Sequence, residues 1–161
     1  MARILNDYIA LLERSGLLSA PIPGEIDRAA PVALVSYDSR EVVPGTLFLC
    51  KGAHFKPEFL EMARERGALA YVSQVPYPQA GLPCLQVRDM RSAIAPLADL
   101  FYGHPSGRLK VIGLTGTKGK SSTAYYLKYI LDEYMAEGEK PESGIISSID
   151  TYDGVERFES H

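Results

Sequence analysis

The stretch Gly113-Leu114-Thr115-Gly116-Thr117-Lys118-Gly119-Lys120-Ser121 combines glycines, a lysine and a hydroxyl in an order suited to holding a phosphate chain. Glycines let the backbone curl until successive N–H groups face phosphate oxygens, and a helix that starts there adds a favourable partial charge. In such a loop Lys120 reaches the β- and γ-phosphates and the Ser121 hydroxyl ligates magnesium, so ATP and Mg are the expected cofactors. The general spacing G-x-x-x-x-G-K would place its first glycine at position 114, where Leu114 stands, and Gly113 comes one residue early. The core from Gly116 to Ser121 is intact. A plain glycine-rich turn is the competing reading. The apolar run Leu109 to Leu114 before the loop and the helix-like segment after it favour nucleotide binding.

Other residues with obvious chemistry are few. Cys50 and Cys84 fit no metal or redox spacing and sit in apolar runs, which predicts two small core residues. His54, His104 and His161 fall in no metal-ligand pattern. Tyr125, Tyr126 and Tyr129 lie at mixed spacing on the helix after the loop; packing is expected for at least two of them rather than a nucleotide-stacking role.

The elements that must position these groups follow from periodicity and turn signals. Ile4, Leu5, Tyr8, Ile9, Leu11 and Leu12 recur at helical spacing, with Gly16 as a stop. Val32 to Tyr37 and Thr46 to Cys50 read as strands, separated by the polar turn Asp38-Ser39-Arg40 and by Pro44-Gly45. Pro57 fits the first position of a helix over Glu58 to Arg66, closed by Gly67. Two short apolar runs follow, Ala68 to Val72 and Cys84 to Val87. Asp89 caps a helix predicted from Arg91 to Tyr102, which Pro96 would bend or delay. Residues 103–108 break the composition and read as a linker between a domain over 1–102 and a second over 109–161. The second begins with a strand over 109–114, then a helix from Lys120 to near Met135, a strand Gly144 to Ile149 and a hairpin turn at Asp153-Gly154.

Composition bounds the class. The 161 residues are 46% hydrophobic and 23% charged with a net charge of −3, the profile of an ordinary globular protein without a basic footprint for nucleic acid. No apolar run approaches the roughly 18 residues of a membrane span, and the first residues lack the apolar core and cleavage site of a signal peptide. A cytoplasmic monomer is the expectation.

Three blocks together resemble the Mur ligases, the bacterial ATP-dependent enzymes that add amino acids to the peptidoglycan precursor. Tyr37-Asp38-Ser39-Arg40-Glu41-Val42-Val43-Pro44-Gly45-Thr46-Leu47-Phe48 is similar to the family's D-S-R-x-x-x-x-G-x-[LI]-F block. Gly116-Thr117-Lys118-Gly119-Lys120-Ser121-Ser122 is similar to its G-T-x-G-K-[ST]-[ST] loop, which shares the shifted first glycine. Ser147-Ser148-Ile149-Asp150-Thr151 with Asp153-Gly154 resembles the segment leading into its T-T-P motif. Lys51 to Lys56 and Phe101 to Pro105 are most similar to the lysine-adding branch of the third ligase. Many relatives carry an Asp-Gly loop after the Phe48 strand; Phe55-Lys56-Pro57 stands here instead, so no substrate contact is expected from it.

The resemblance implies an α/β fold: a small mixed α/β domain binding a UDP-sugar precursor, followed by the start of a P-loop α/β domain, truncated at His161. It implies an ATP-binding set of Gly116, Thr117, Lys118, Gly119, Lys120, Ser121 and Ser122, with Lys120 catalytic and Ser121 on Mg. It assigns Ser39, Tyr37 and His54 to the precursor. A short hydroxyl at a strand end can both donate to and accept from a uracil edge; on spacing alone, Asp38-Ser39-Arg40 reads as a hydrogen-bonding turn. The implied function is addition of L-lysine or meso-diaminopimelate to UDP-N-acetylmuramoyl-L-alanyl-D-glutamate through an acyl-phosphate, with this stretch alone inactive. A folylpolyglutamate synthase-like ligase, another P-loop enzyme and a non-catalytic nucleotide-binding module are the alternatives.

Overall fold

The computed structural model describes residues 3–52, 55–137 and 143–159. The chain divides into two compact units, Met1–Lys110 and Val111–His161. Their architecture is α/β, as expected.

The first unit is built on a four-stranded parallel sheet, β1 (Leu34–Ser36), β2 (Thr46–Leu49), β3 (Ala70–Ser73) and β4 (Cys84–Gln86), in that spatial order. Leu47 pairs with Val35 and with Ala70, and Val72 with Leu85. Every residue of β2 and β3 is buried, which is what a parallel sheet covered on both faces requires. Alternation along the strands sorts the two covers. Leu47, Leu49, Ala70, Val72 and Leu85 face a core shared with α1 (Leu5–Arg14) and α3 (Met90–Phe101), into which α1 sends Leu5, Tyr8, Ile9 and Leu12. Phe48, Cys50 and Tyr71 face the other way, onto Leu60 and Ala63 of α2 (Glu58–Glu65).

Local chemistry fixes the ends. Asp7 accepts a hydrogen bond from the Ile4 N–H at 3.0 Å, opening α1. Asp89 accepts from the backbone N–H groups of Arg91 and Ser92 and from the Ser92 hydroxyl, the N-cap that the sequence predicts. Because that cap satisfies the first donors, α3 starts at Met90 and runs through Pro96, which neither delays nor divides it. Gly45 enters β2 with φ +91, and a Cβ there would lie 3.1 Å from the Ala33 Cβ, so only glycine fits the turn.

Cys50 is buried, whereas Cys84 is only partly so. Burial pushes the Cys50 thiol up to about 12, with a hydrogen bond from Ser73 opposing it.

The second unit departs from expectation. Residues 109–114, expected as a strand, have no regular structure, and Val111 and Ile112 are 74% and 57% exposed. A strand needs a neighbour for its backbone donors and acceptors, and among the described residues none pairs with this segment. β5 (Ile145–Ile146), the remnant of the strand predicted over 144–149, instead pairs antiparallel with β6 (Asp150–Tyr152), which pairs with β7 (Arg157–Glu159) around the turn at Asp153-Gly154. The helix α4 (Lys120–Ala136) matches its predicted span. Its tyrosines do not match theirs: Tyr126 and Tyr129 are exposed, and only Tyr125 is partly buried. The small antiparallel sheet covers one side of α4, so packing is available to Tyr125 alone of the three.

Candidate functional site

In the first unit, the segments after β1 and β2 and one side of α2 line an open cavity of about 540 Å3. Tyr37, Asp38, Ser39 and Arg40 follow β1, Lys51 and Gly52 follow β2, Phe55 precedes α2, and Phe59 and Met62 lie on it. The parallel sheet explains this gathering, since its strands all deliver their C-terminal ends to one edge, where ligands are usually held in open α/β sheets.

Ser39 is buried, and its Oγ donates to the Met62 Sδ at 3.8 Å. A thioether is a weak acceptor. Neighbouring groups hold the turn rigid. The Arg40 Nε and Nη2 donate to the Asp38 carboxylate at 2.9 and 2.6 Å, and the Arg40 backbone N–H donates to it at 2.9 Å. Those hydrogen bonds hold the Asp38 carboxyl down at about 2 and raise the Arg40 guanidinium. The Asp38 N–H donates to Ser36 Oγ, which donates in turn to Glu41. Arg66 reaches back from the end of α2 to the Arg40 carbonyl at 2.6 Å.

The cavity is aromatic on two sides. Phe55 packs edge-on to Phe59 with ring centres 6.2 Å apart, and lies 5.5 Å from Tyr77. On another side the Tyr37 ring is 59% exposed, with the Lys51 ammonium 4.4 Å from its centre. Thus Tyr37 and Ser39 come together here, while His54 lies outside the described residues. Phe55, from the loop expected to make no substrate contact, is part of the lining. Lys51, Phe59 and Met62 carry no linear motif that sequence reasoning singles out; the helical position of Phe59 and Met62, on one face of α2 three residues apart, is the available signal.

In the second unit Gly119, with φ +79, is the residue before α4, and a side chain there would be strained. Lys120 and Ser121 are therefore the first residues of the helix, beside its free N–H groups. The Lys120 ammonium folds back to the Gly116 carbonyl at 2.8 Å, and the Ser121 hydroxyl lies 3.3 Å from that of Ser148. Residues 116–120 and Ser122 are exposed. This is a donor-rich loop with two exposed ammonium groups, Lys118 and Lys120, and the neighbouring hydroxyls of Ser121 and Ser148, a set that fits a phosphate chain and a hard cation. Beyond it, Asp150 accepts from Tyr125 and pairs with Arg157 at 3.1 Å, joining α4 to the sheet. Among the described residues no cluster of His, Cys, Asp and Glu could hold a metal by itself, and no helix is long and apolar enough to cross a membrane.

No protein-family model matches the chain. It is 41% identical over 167 aligned residues to the UDP-N-acetylmuramyl-tripeptide synthetase of Lactobacillus delbrueckii subsp. bulgaricus, covering 96% of this chain and 32% of that protein. It is 45% identical over 130 residues to the UDP-N-acetylmuramoyl-L-alanyl-D-glutamate–L-lysine ligase of Enterococcus faecalis, covering 80% of this chain and 25% of that one. Among solved structures, MurF from Acinetobacter baumannii superposes with a TM-score of 0.55 at 27% identity, covering 78% of this chain and 27% of that one. A UDP-N-acetylmuramoyl-L-alanyl-D-glutamate–2,6-diaminopimelate ligase shares the fold with a TM-score of 0.59 at 18% identity, over 94% of this chain and 29% of that one. The chain spans about a third of the length of the first of these relatives.

Proposed function

Because the chain belongs to the Mur ligase family, we propose that it carries the precursor site and the ATP loop of a ligase that adds L-lysine to UDP-N-acetylmuramoyl-L-alanyl-D-glutamate. Residues 1–102 bind the precursor, 103–108 link, and 109–161 begin the nucleotide-binding part. The identity to the Enterococcus faecalis lysine ligase supports lysine over diaminopimelate.

The observation that carries the reading is the Ser39 hydroxyl, buried beside a cavity of about 540 Å3 with a thioether as its acceptor. Such a hydroxyl retains its lone pairs and exchanges a poor acceptor for a good one when a nucleobase edge arrives. The Asp38–Arg40 chelate fixes the backbone that presents it, and Tyr37, Phe55 and Phe59 supply faces for a planar base.

ATP supplies the phosphoryl group that activates a substrate carboxylate toward the incoming amine, with Mg sharing its charge. On the protein side, Gly116 to Gly119 offer backbone donors, Lys120 supplies a positive charge to the phosphates, Ser121 supplies a hydroxyl oxygen for the cation, and Ser122 belongs to the nucleotide-binding set. Gly119 sets where the helix begins and so where those groups converge. A protein working this way needs no membrane span and acts where nucleotide precursors and ATP are both dissolved.

Calorimetric titration of the chain with UDP-N-acetylmuramoyl-L-alanyl-D-glutamate tests the reading. Saturable binding at one site, displaced by UDP, is expected. Absence of precursor binding would overturn it.

A further inference from the structure

We propose that Lys51 is the residue that reads the diphosphate of the precursor, and so separates nucleotides from nucleosides at this cavity. The inference rests on the reading of the cavity as a uridine-nucleotide site.

Charge accounting around the cavity points to this residue. Its described lining contains three ionic side chains, Asp38, Arg40 and Lys51. The Arg40 guanidinium is committed to Asp38 through two nitrogens, at 2.9 and 2.6 Å, so that pair is neutral as a unit. Lys51 makes no ion pair with a carboxylate among the described residues; its ammonium rests 4.4 Å from the centre of the Tyr37 ring. A ring face holds a cation by its quadrupole without neutralising it. The lining thus presents one uncompensated positive charge, positioned beside the aromatic surface offered to a base.

A lysine suits this task. Its ammonium is a compact point charge on a flexible stem with three donors, able to leave a ring for a phosphate oxygen without a fixed geometry. The position follows from the fold: Lys51 comes directly after the last core residue of the β2 segment, Cys50, while Ser39 belongs to the segment after β1. Neighbouring parallel strands therefore supply the two ends of one ligand, a hydroxyl for the base and an ammonium for the diphosphate.

The test uses the whole chain, with uridine and UDP as calorimetric probes and Lys51→Met and Lys51→Arg as variants. Wild type should bind UDP more tightly than uridine, by roughly tenfold at low salt, with the difference shrinking as salt is raised. Lys51→Met should bind uridine as wild type does and lose most of the preference for UDP, and Lys51→Arg should keep most of it. An unchanged preference in Lys51→Met would overturn the proposal while leaving the cavity as the nucleotide site. Equal weakening of uridine and UDP would overturn it too, since it would mean that Lys51 acts only by holding Tyr37. Failure of wild type to bind either probe would overturn the underlying reading of the cavity.

Discussion

The Ser39 hydroxyl and the Met62 thioether face each other across 3.8 Å, one from the turn after β1 and the other from the middle of α2. The contact lies in the wall of the open cavity and is a weak bond, easily exchanged for a stronger one. Ser39→Ala should therefore weaken precursor binding by about 1–3 kcal/mol, the cost of an unpaired buried partner on the ligand. ATP affinity should stay as it is, because the nucleotide loop belongs to the other unit. Titration of both ligands decides it; unchanged precursor affinity would make Asp38-Ser39-Arg40 a turn and nothing more.

Lys120→Ala should abolish detectable ATP binding to the chain, or reduce it by at least about tenfold, since it removes the ammonium at the start of α4 that reaches back over the loop. The Lys120–Gly116 hydrogen bond is exposed, so folding should be unaffected and circular dichroism should not change. Nucleotide affinity equal to wild type would sink the loop's assignment.

The Asp38 carboxyl should titrate near 2, held down chiefly by its side-chain hydrogen bonds from Arg40. Since the folded value lies below the ordinary one, the chelate's contribution is complete above the usual carboxylate range and disappears as pH falls through about 2. Carboxyl carbon shifts followed against pH should show that midpoint, and Arg40→Ala should return it toward roughly 4. A wild-type midpoint already near 4 would show that the chelate does not persist in solution.

Cys50, pushed up to about 12 by burial, should be a poor nucleophile. Alkylation by iodoacetamide at pH 8 should run more than about tenfold slower in the folded chain than in denaturant. Rapid labelling of the native thiol would mean that the core around Phe48 and Tyr71 opens readily.

Asp89→Ala should lower the midpoint of chemical denaturation, and Asp89→Asn should recover most of the loss, because either side chain can accept from the Ser92 N–H. Equal stability of all three proteins would remove the cap from the features that hold α3.

Elements specified by their own residues are legible in the amino-acid sequence. The apolar stripe and stop of α1, the Asp89 cap of α3, the Pro44-Gly45 turn and the start of α4 at Lys120 all depend on neighbours close along the chain. The segment 109–114 is not legible in this way, because an apolar run becomes a strand only when another strand pairs with it, and sequence pattern says nothing about that partner. Tyr126 and Tyr129 escape for a related cause: the surface that would bury them must come from elsewhere. At the cavity, Tyr37 and Ser39 belong to a short linear block, whereas Lys51, Phe55, Phe59 and Met62 meet it only through the crossover from β2 to α2. Tertiary packing selects those residues.

The parallel order of β1 to β4 also bears on how this chain can be altered. Strand register is held by buried side chains on both faces of the sheet, while most of the cavity lining comes from segments that leave its edge. Residues 37–41, Lys51 and Gly52 can then be varied to retune which nucleotide is accepted, while Val42 and Phe55 stay fixed because they pack in the core beneath α2. At those positions selection, natural or in the laboratory, can change ligand choice with little effect on the sheet.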